Sequence, residues 1–369
     1  MAGISSRPRI SGQGGEEIRL KRLLPRLEKA GIDALLVSQA ENRRYLSGFN
    51  GSAGYLLITT KASLLLVDFR YTEQARVQAP GWEVLQIKGA PQNFLPELLA
   101  GQGVKALGLE APHMSLAAYT LLQSALKDGP HLVATEGLVE GLRLVKEPGE
   151  LALLERAAGI SDRALENVIP RLRRGTAEDE LAWEIEKSMR EDGSEPLPFE
   201  PIVASGPQSS MPHARATNRK LRENEPVVID IGARVQGYGS DLTRTFPVGE
   251  ADARFRRVYS LVLEAQETAL SAIRPGMKGD EADRLAREVI EKGGFGESFG
   301  HGLGHGVGLG PHEGPRLGTN SQDILEEGMS FTVEPGVYIP GWGGVRIEDM
   351  VVLEKDGPRL LSRARKLRP

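Results

Sequence analysis

The stretch that most constrains this chain runs over residues 227–246, VVIDIGARVQGYGSDLTRTF. Val227, Val228 and Ile229 form a short β-branched run into Asp230, glycines fall at Gly232, Gly237 and Gly239, and a second run covers residues 241–246. Such runs punctuated by glycine read as a β-hairpin. With the turn near Val235 and Gln236, Asp230 and Asp241 come opposite each other on neighbouring strands, within reach of one ion. Two carboxylates that close repel each other unless a cation lies between them.

Taken alone, two acids beside a turn are as well explained by solvation or capping. Downstream, however, ligand-type residues recur. Residues 301–315, HGLGHGVGLGPHEGP, hold three histidines and six glycines. Residues 331–338 and 344–349 then set Glu334 and Glu348 beside apolar runs. Hard carboxylates with one imidazole suit Mn²⁺, Co²⁺, Fe²⁺ or Zn²⁺.

A chain of 369 residues suits two domains. With 46 basic against 50 acidic residues and a net charge of -4, it lacks the basic balance that phosphate binding wants, which argues against a nucleic-acid partner. There is no cysteine, so neither a disulfide framework nor a thiolate site exists, which fits a reducing cytoplasm. No apolar run approaches the roughly 20 residues that span a bilayer. Residues 1–15 carry Arg7, Arg9 and several Ser and Gly without an apolar stretch, so they read as a flexible leader rather than a secretory signal.

In chain order, Ile18, Leu20, Leu23, Leu24 and Leu27 have helical spacing, with Gly31 where a helix C-terminal glycine belongs and Pro25 as a dissenting residue. A strand-like run at residues 34–37 is followed by residues 42–49, then by 55–59 and 64–67 as further strands. Residues 71–77, 94–99 and 116–126 read as helices, with 84–87 and 106–109 extended between them. Strands alternating with helices predict an α/β domain over residues 16–140. Residues 141–150, GLRLVKEPGE, make a junction of charges and a Pro-Gly pair. Beyond it, residues 151–168, 181–189, 255–273 and 280–290 are helical, with Thr176 and Asp179 read as a capping box for the second. Helices interleaved with the hairpin and two acid-bearing strands predict an α+β domain over residues 151–369.

At this point the residues resemble a known family, the pita-bread metallopeptidases of the prolyl branch, which include Xaa-Pro aminopeptidases and prolidases. The matching elements are Asp230 and Asp241 in DIGARVQGYGSDLTRTF, His305 in HGLGHGVG, Glu334 in FTVEPGVY and Glu348 in GVRIEDM. Residues 199–213, FEPIVASGPQSSMPH, resemble the segment that ends in a substrate-binding histidine, here His213. His312 in GPHEGPR matches the second active-site histidine, and YLSGF with DFRYTEQA in the first half resembles a creatinase-type N-terminal domain.

The resemblance implies a creatinase-like α/β domain followed by a pita-bread catalytic domain. It also implies two divalent ions, Mn²⁺ foremost with Co²⁺ or Zn²⁺ as substitutes, bridged by Asp241 and Glu348. Asp230 would complete one shell, and His305 with Glu334 the other. The nucleophile would be hydroxide, with Glu334 moving its proton towards the leaving proline nitrogen. His312 would stabilise the oxyanion. His213 would hold the substrate backbone, and His301 would serve substrate or loop. Arg346, two residues before Glu348, would share its face of the strand and orient that carboxylate. Arg316 matches an arginine that in prolidases meets a dipeptide carboxylate, a bidentate partner for a guanidinium. Val307 is read, with His213 and His301, as wall of the proline pocket. Tyr238 and Arg244 read as structural, and Trp82 and Trp342 as packing residues.

The expected activity is therefore an Xaa-Pro aminopeptidase on proline-containing peptides. A prolidase restricted to dipeptides is the close alternative, and a metal-free creatinase-type hydrolase or a non-catalytic binding protein are more distant ones. The resemblance further implies a homodimer or dimer of dimers.

Overall fold

A computed structural model describes residues 15–100 and 102–368. It divides into two compact units between Arg143 and Leu144. The leader assignment falls on residues 1–14, which lie outside the described residues, and on Gly15, which opens a helix. Residues 141–150, read as a junction, are shared between the short helix Glu140–Arg143 and the start of the long helix Pro148–Val168.

The first unit is a six-stranded mixed sheet in the order Glu83–Gln86, Ser63–Val67, Tyr55–Thr59, Ala34–Val37, Ala106–Glu110, His131–Thr135. Ala34–Val37 is buried at every position, as befits a central strand covered on both faces. Pro25 is accommodated inside the helix Gly15–Lys29. Residues 42–49, grouped with strands by sequence, lie mainly in the helix Ala40–Ser47. Its entry is held from a distance: the buried Glu110 carboxylate accepts the backbone N–H groups of Ser38 at 2.6 Å and Gln39 at 2.7 Å. No local reading could see that partner, some seventy residues on. The strand His131–Thr135 carried no clear sequence signal, being half exposed along most of its length.

The second unit repeats one construction twice, a sheet backed by a pair of helices. Leu242–Pro247, Pro226–Ile231 and Ile202–Ser205 form the first sheet. Ala157, Leu165, Leu181 and Ile185 of the helices Pro148–Val168 and Glu178–Glu191 pack against Val203, Val227 and Ile229 of its strands. The second sheet orders Glu313–Leu317, Gly304–Gly306, Ser330–Val333, Asp349–Glu354 and Gly357–Leu360. Behind it, Val258, Val262, Ala286 and Ile290 of the helices Ala253–Ala272 and Gly279–Lys292 meet Phe331, Val333 and Val351. The expected α/β unit followed by an α+β unit is the architecture found.

Two local readings need correction. Thr176 does not cap the second helix, since its hydroxyl donates to the Arg171 carbonyl at 3.0 Å and the N-cap is Ala177. The hairpin turn is also one residue later than expected, at Gln236 and Gly237, both with positive φ (46° and 83°). That turn follows the right-handed twist of the paired strands. Asp230 therefore pairs with Thr243, not Asp241. Moving a turn by one residue slides the register by two, which keeps every side chain on its own face. Asp241 thus stays beside Asp230 as a diagonal neighbour.

Candidate metal centre and substrate cavity

Five segments bring the expected ligands to one place. Asp230 sits in Pro226–Ile231, and Asp241 precedes Leu242–Pro247. Glu348 lies between Gly343–Arg346 and Asp349–Glu354, its backbone N–H donating to the Thr243 carbonyl at 3.1 Å. From the other sheet come His305, inside Gly304–Gly306, and Glu334, directly after Ser330–Val333. The Glu334 N–H donates to Leu303 at 2.8 Å, which ties these two segments side by side.

Carboxylate oxygens of Asp230, Asp241 and Glu348 all lie within 4.8 Å of one another. On the other side of Asp241, His305 Nε2 stands 3.7 Å from its Oδ2 and 3.3 Å from Glu334 Oε1. Asp241 is therefore common to both groups. The opposite ring nitrogen of His305, Nδ1, is 3.1 Å from the Gly306 carbonyl, which leaves Nε2 free to act as a ligand.

So many acids cannot stay ionised together unaided. Burial, reinforced by Glu348, Asp230 and Glu334, pushes the Asp241 carboxyl well above the usual range. Burial and the neighbouring acids raise Glu348 likewise, and burial raises Glu334. Burial also lowers the three histidines, His301, His305 and His312, keeping their rings neutral and able to donate a lone pair.

The residues fit a divalent cation. One Asp230 oxygen is held by Arg346 at 2.6 Å, while the other, Oδ1, is buried without a hydrogen-bond partner among the described residues. An orphaned buried carboxylate oxygen is costly unless a ligand completes it. Four carboxylates and one imidazole are the hard donor set that such ions take.

The hydroxyls that orient these ligands were not singled out from sequence. Thr243 donates to Glu348 Oε2 at 2.6 Å, and Thr332 to Glu334 Oε1 at 3.0 Å. Each lies two residues from a ligand, Asp241 and Glu334, and so shares its strand face, a signal the period-two pattern does contain. Arg346 holds Asp230 rather than Glu348 directly. Its Nε donates to Thr243 Oγ1 at 3.0 Å, so its link to Glu348 runs through that hydroxyl.

A cavity of about 560 Å³ opens over the carboxylates. His213, His301, His312, Arg316 and Arg346 all line it, so the structure gathers the polar substrate-side residues named from sequence. The His312 ring lies 4.2 Å from that of His305, centroid to centroid. His301 is anchored more firmly, with Nε2 at 2.9 Å from the Tyr338 hydroxyl, which in turn accepts from Arg346 at 2.9 Å. Val307 is not part of the wall. It is buried directly after the strand Gly304–Gly306, and the apolar lining comes from residues such as Phe199, Ile202 and Leu317.

Arg316 differs from the other arginines of the site. It is exposed at the cavity, and its guanidinium has no hydrogen bond or ion pair among the described residues. Tyr238 and Arg244 are structural as expected: Tyr238 donates to Glu150 at 2.8 Å, and Arg244 is buried behind the centre against Asp349 at 2.7 Å. Trp82 is buried, and Trp342 packs against the second core.

Comparison with known proteins gives the same picture. Residues 152–355 match the model of metallopeptidase family M24, and residues 19–145 match that of the creatinase/prolidase N-terminal domain. An uncharacterized peptidase of Bacillus subtilis, YqhT, is 40% identical over 95% of this chain and 99% of its own. Among solved structures, an Xaa-Pro dipeptidase from Bacillus anthracis superposes with a TM-score of 0.92 at 40% identity, covering 95% of this chain and 99% of its own. An X-Pro aminopeptidase from Thermotoga maritima does so at 0.85 and 37% identity, with the same coverage of both chains.

Proposed function

Because the chain belongs to metallopeptidase family M24 and carries the creatinase/prolidase N-terminal domain, we propose that it hydrolyses the bond before proline in Xaa-Pro dipeptides. The observation that carries the dipeptide preference is Arg316, unpaired at the cavity, where a guanidinium can take the free carboxylate of the proline in bidentate fashion. The sequence reading put aminopeptidase ahead, and the free Arg316 moves our proposal to the dipeptidase.

Asp230, Asp241, His305, Glu334 and Glu348 would hold two divalent ions, with Mn²⁺ the expected metal. When bound, such ions would lower the pKa of a coordinated water towards about 7 and polarise the scissile carbonyl. The protein's own residues do the rest. Water oxygen attacks the carbonyl carbon of the residue before proline, and Glu334 takes the proton that this releases. His312, opposite His305, donates to the oxygen that becomes negative. As the carbon–nitrogen bond breaks, Glu334 returns the proton to the proline nitrogen, giving a free amino acid and proline. His213 holds the substrate near its proline, and the ring of His301, fixed by Tyr338, keeps its place beside the cavity.

Proline needs a dedicated site because its amide has no N–H and its φ is locked near −65°. Phe199, Ile202 and Leu317 supply an apolar wall for such a ring. The protein is expected to act in the cytoplasm, as a homodimer or dimer of dimers.

The deciding experiment compares Mn²⁺-loaded protein on an Xaa-Pro dipeptide and on an Xaa-Pro-Yaa tripeptide. Efficient cleavage of the dipeptide alone, lost in Arg316→Ala, is the expected result. Equal turnover of both with Arg316→Ala unimpaired would establish the second reading, an Xaa-Pro aminopeptidase. That reading is favoured by the likeness to the Thermotoga maritima X-Pro aminopeptidase over nearly the whole chain.

A further inference from the structure

Residues 205–217 form the segment that carries His213, with Pro212, Ala214 and Arg215 beside it on the cavity. Both ends of that segment converge on one side chain. Glu178 is the first residue of the helix Glu178–Glu191 and is fully buried. Its Oε1 accepts the Ser205 N–H at 2.8 Å and the Ser205 hydroxyl at 2.6 Å. Its Oε2 accepts the Thr217 N–H at 3.2 Å and the Thr217 hydroxyl at 2.8 Å. With its amide nitrogen turned inward, Gln208 donates to the same two oxygens at 3.2 and 2.8 Å.

The helix backbone adds to this closure. The Glu178 N–H donates to the Arg219 carbonyl at 3.1 Å and the Asp179 N–H to that of Thr217 at 2.9 Å. At the tip, the Pro212 carbonyl accepts from Arg346 at 3.3 Å, and the Gly344 N–H donates to the Ser209 hydroxyl at 2.8 Å. The exposed residues Met211, His213 and Arg215 therefore project from a segment whose base is fixed.

A buried carboxylate is tolerated only where hydrogen bonds replace its water. Here those donors come from the two ends of the His213 segment, and charge-assisted bonds of this kind are the strong ones. Neither Glu178 nor its partners Ser205 and Thr217 line the cavity. We infer that Glu178 is a positioning residue for substrate binding, closing the segment 205–217 so that His213 is held ready at the cavity. The inference rests on His213 meeting the substrate, and it places no part of the chemistry on Glu178 itself.

Two variants test it. Thr217→Val removes one hydroxyl of the clamp, and Glu178→Gln turns one acceptor into a donor facing donors. Each is measured on the Mn²⁺-loaded protein with an Xaa-Pro dipeptide, alone and combined with His213→Ala. The expected result is a KM raised about tenfold with kcat little changed, equivalent to about 1.4 kcal/mol. In the His213→Ala background the same substitutions should leave KM where that variant already has it. Equal effects in both backgrounds, or an unchanged KM, would overturn the inference.

Amide hydrogen exchange reads the clamp independently of turnover. Exchange over residues 206–216 should rise in both variants while Pro226–Ile231 and Ser330–Val333 stay protected. If the unsubstituted protein cleaves no Xaa-Pro peptide, the substrate reading fails, and unchanged exchange over residues 206–216 would then separately sink the clamp.

Discussion

The hydroxyl of Thr243 donates to Glu348 Oε2 at 2.6 Å, and both residues are buried. The same oxygen of Thr243 accepts from Arg346 Nε at 3.0 Å, while Arg346 Nη2 reaches Asp230 at 2.6 Å. One hydroxyl thus couples the carboxylates of Asp230 and Glu348. Glu348 owes its orientation to a residue of the neighbouring strand.

Thr243→Val keeps the shape of the side chain and removes only that link. Partners of metal ligands typically contribute 10–100-fold in metal affinity or activity. We expect Mn²⁺ affinity, measured by titration calorimetry on stripped protein, to fall within that range. Undiminished affinity would mean that Glu348 is oriented by its backbone alone.

Arg346→Met should be more damaging. It strips the guanidinium from half-buried Asp230, and breaking a largely buried pair from one side costs about 3 kcal/mol. Chemical denaturation of the metal-free protein reads this loss. Added metal should recover part of it, because a cation then faces the abandoned carboxylate.

The raised carboxyl groups make the metal-free protein depend on pH in a definite direction. A carboxyl whose affinity for protons is higher in the folded state stabilises the fold below its ordinary range near 4, and that contribution is lost as pH rises through the folded value. Asp241 and Glu348 are both of this kind. Glu348→Gln should therefore raise the melting temperature of chelated protein at pH 7.5, with the advantage shrinking towards pH 4.5. With Mn²⁺ present the same substitution should lower it. The histidines of the site titrate in the opposite sense, which is why the comparison with the Gln variant, rather than the raw pH profile, isolates the acids.

Arg244 separates support of the fold from support of the centre. It donates to Asp349 at 2.7 Å and to the carbonyls of Ala364 and Thr243, and Lys366 reaches the other Asp349 oxygen at 2.6 Å. Arg244→Met is expected to destabilise the protein by about 1.5–3 kcal/mol, the worth of a buried hydrogen bond from a charged group, since Lys366 still faces Asp349. The loss should be similar with and without metal, in contrast to Arg346→Met. A loss that metal repairs would place Arg244 in the ligand network instead.

Much of the architecture was legible because local pattern and final environment agree. The run Val227–Ile229 is buried on both faces of its strand, and the helical spacing of Leu151, Leu154, Ala158 and Leu165 survives in Pro148–Val168. Failures came where a distant group decided. Residues 42–49 became a helix under the Glu110 carboxylate, and the start of Glu178–Glu191 is organised by Thr217 and Arg219 rather than by Thr176.

By itself the sequence determined the two-domain order and the hairpin, and through its resemblance to a known family it nominated Asp230, Asp241, His305, Glu334 and Glu348 as one donor set, each in its own short motif. The face on which Asp241 points was also fixed locally, because the period of a strand is two whatever its register. Only the tertiary structure decided the rest. Pairing across sheets brought Thr243 under Glu348, put Arg346 on Asp230, and left Arg316 at the cavity with no partner among the described residues. Those relations join residues about a hundred positions apart or depend on what is absent nearby, and chain-local periodicity carries no information about either.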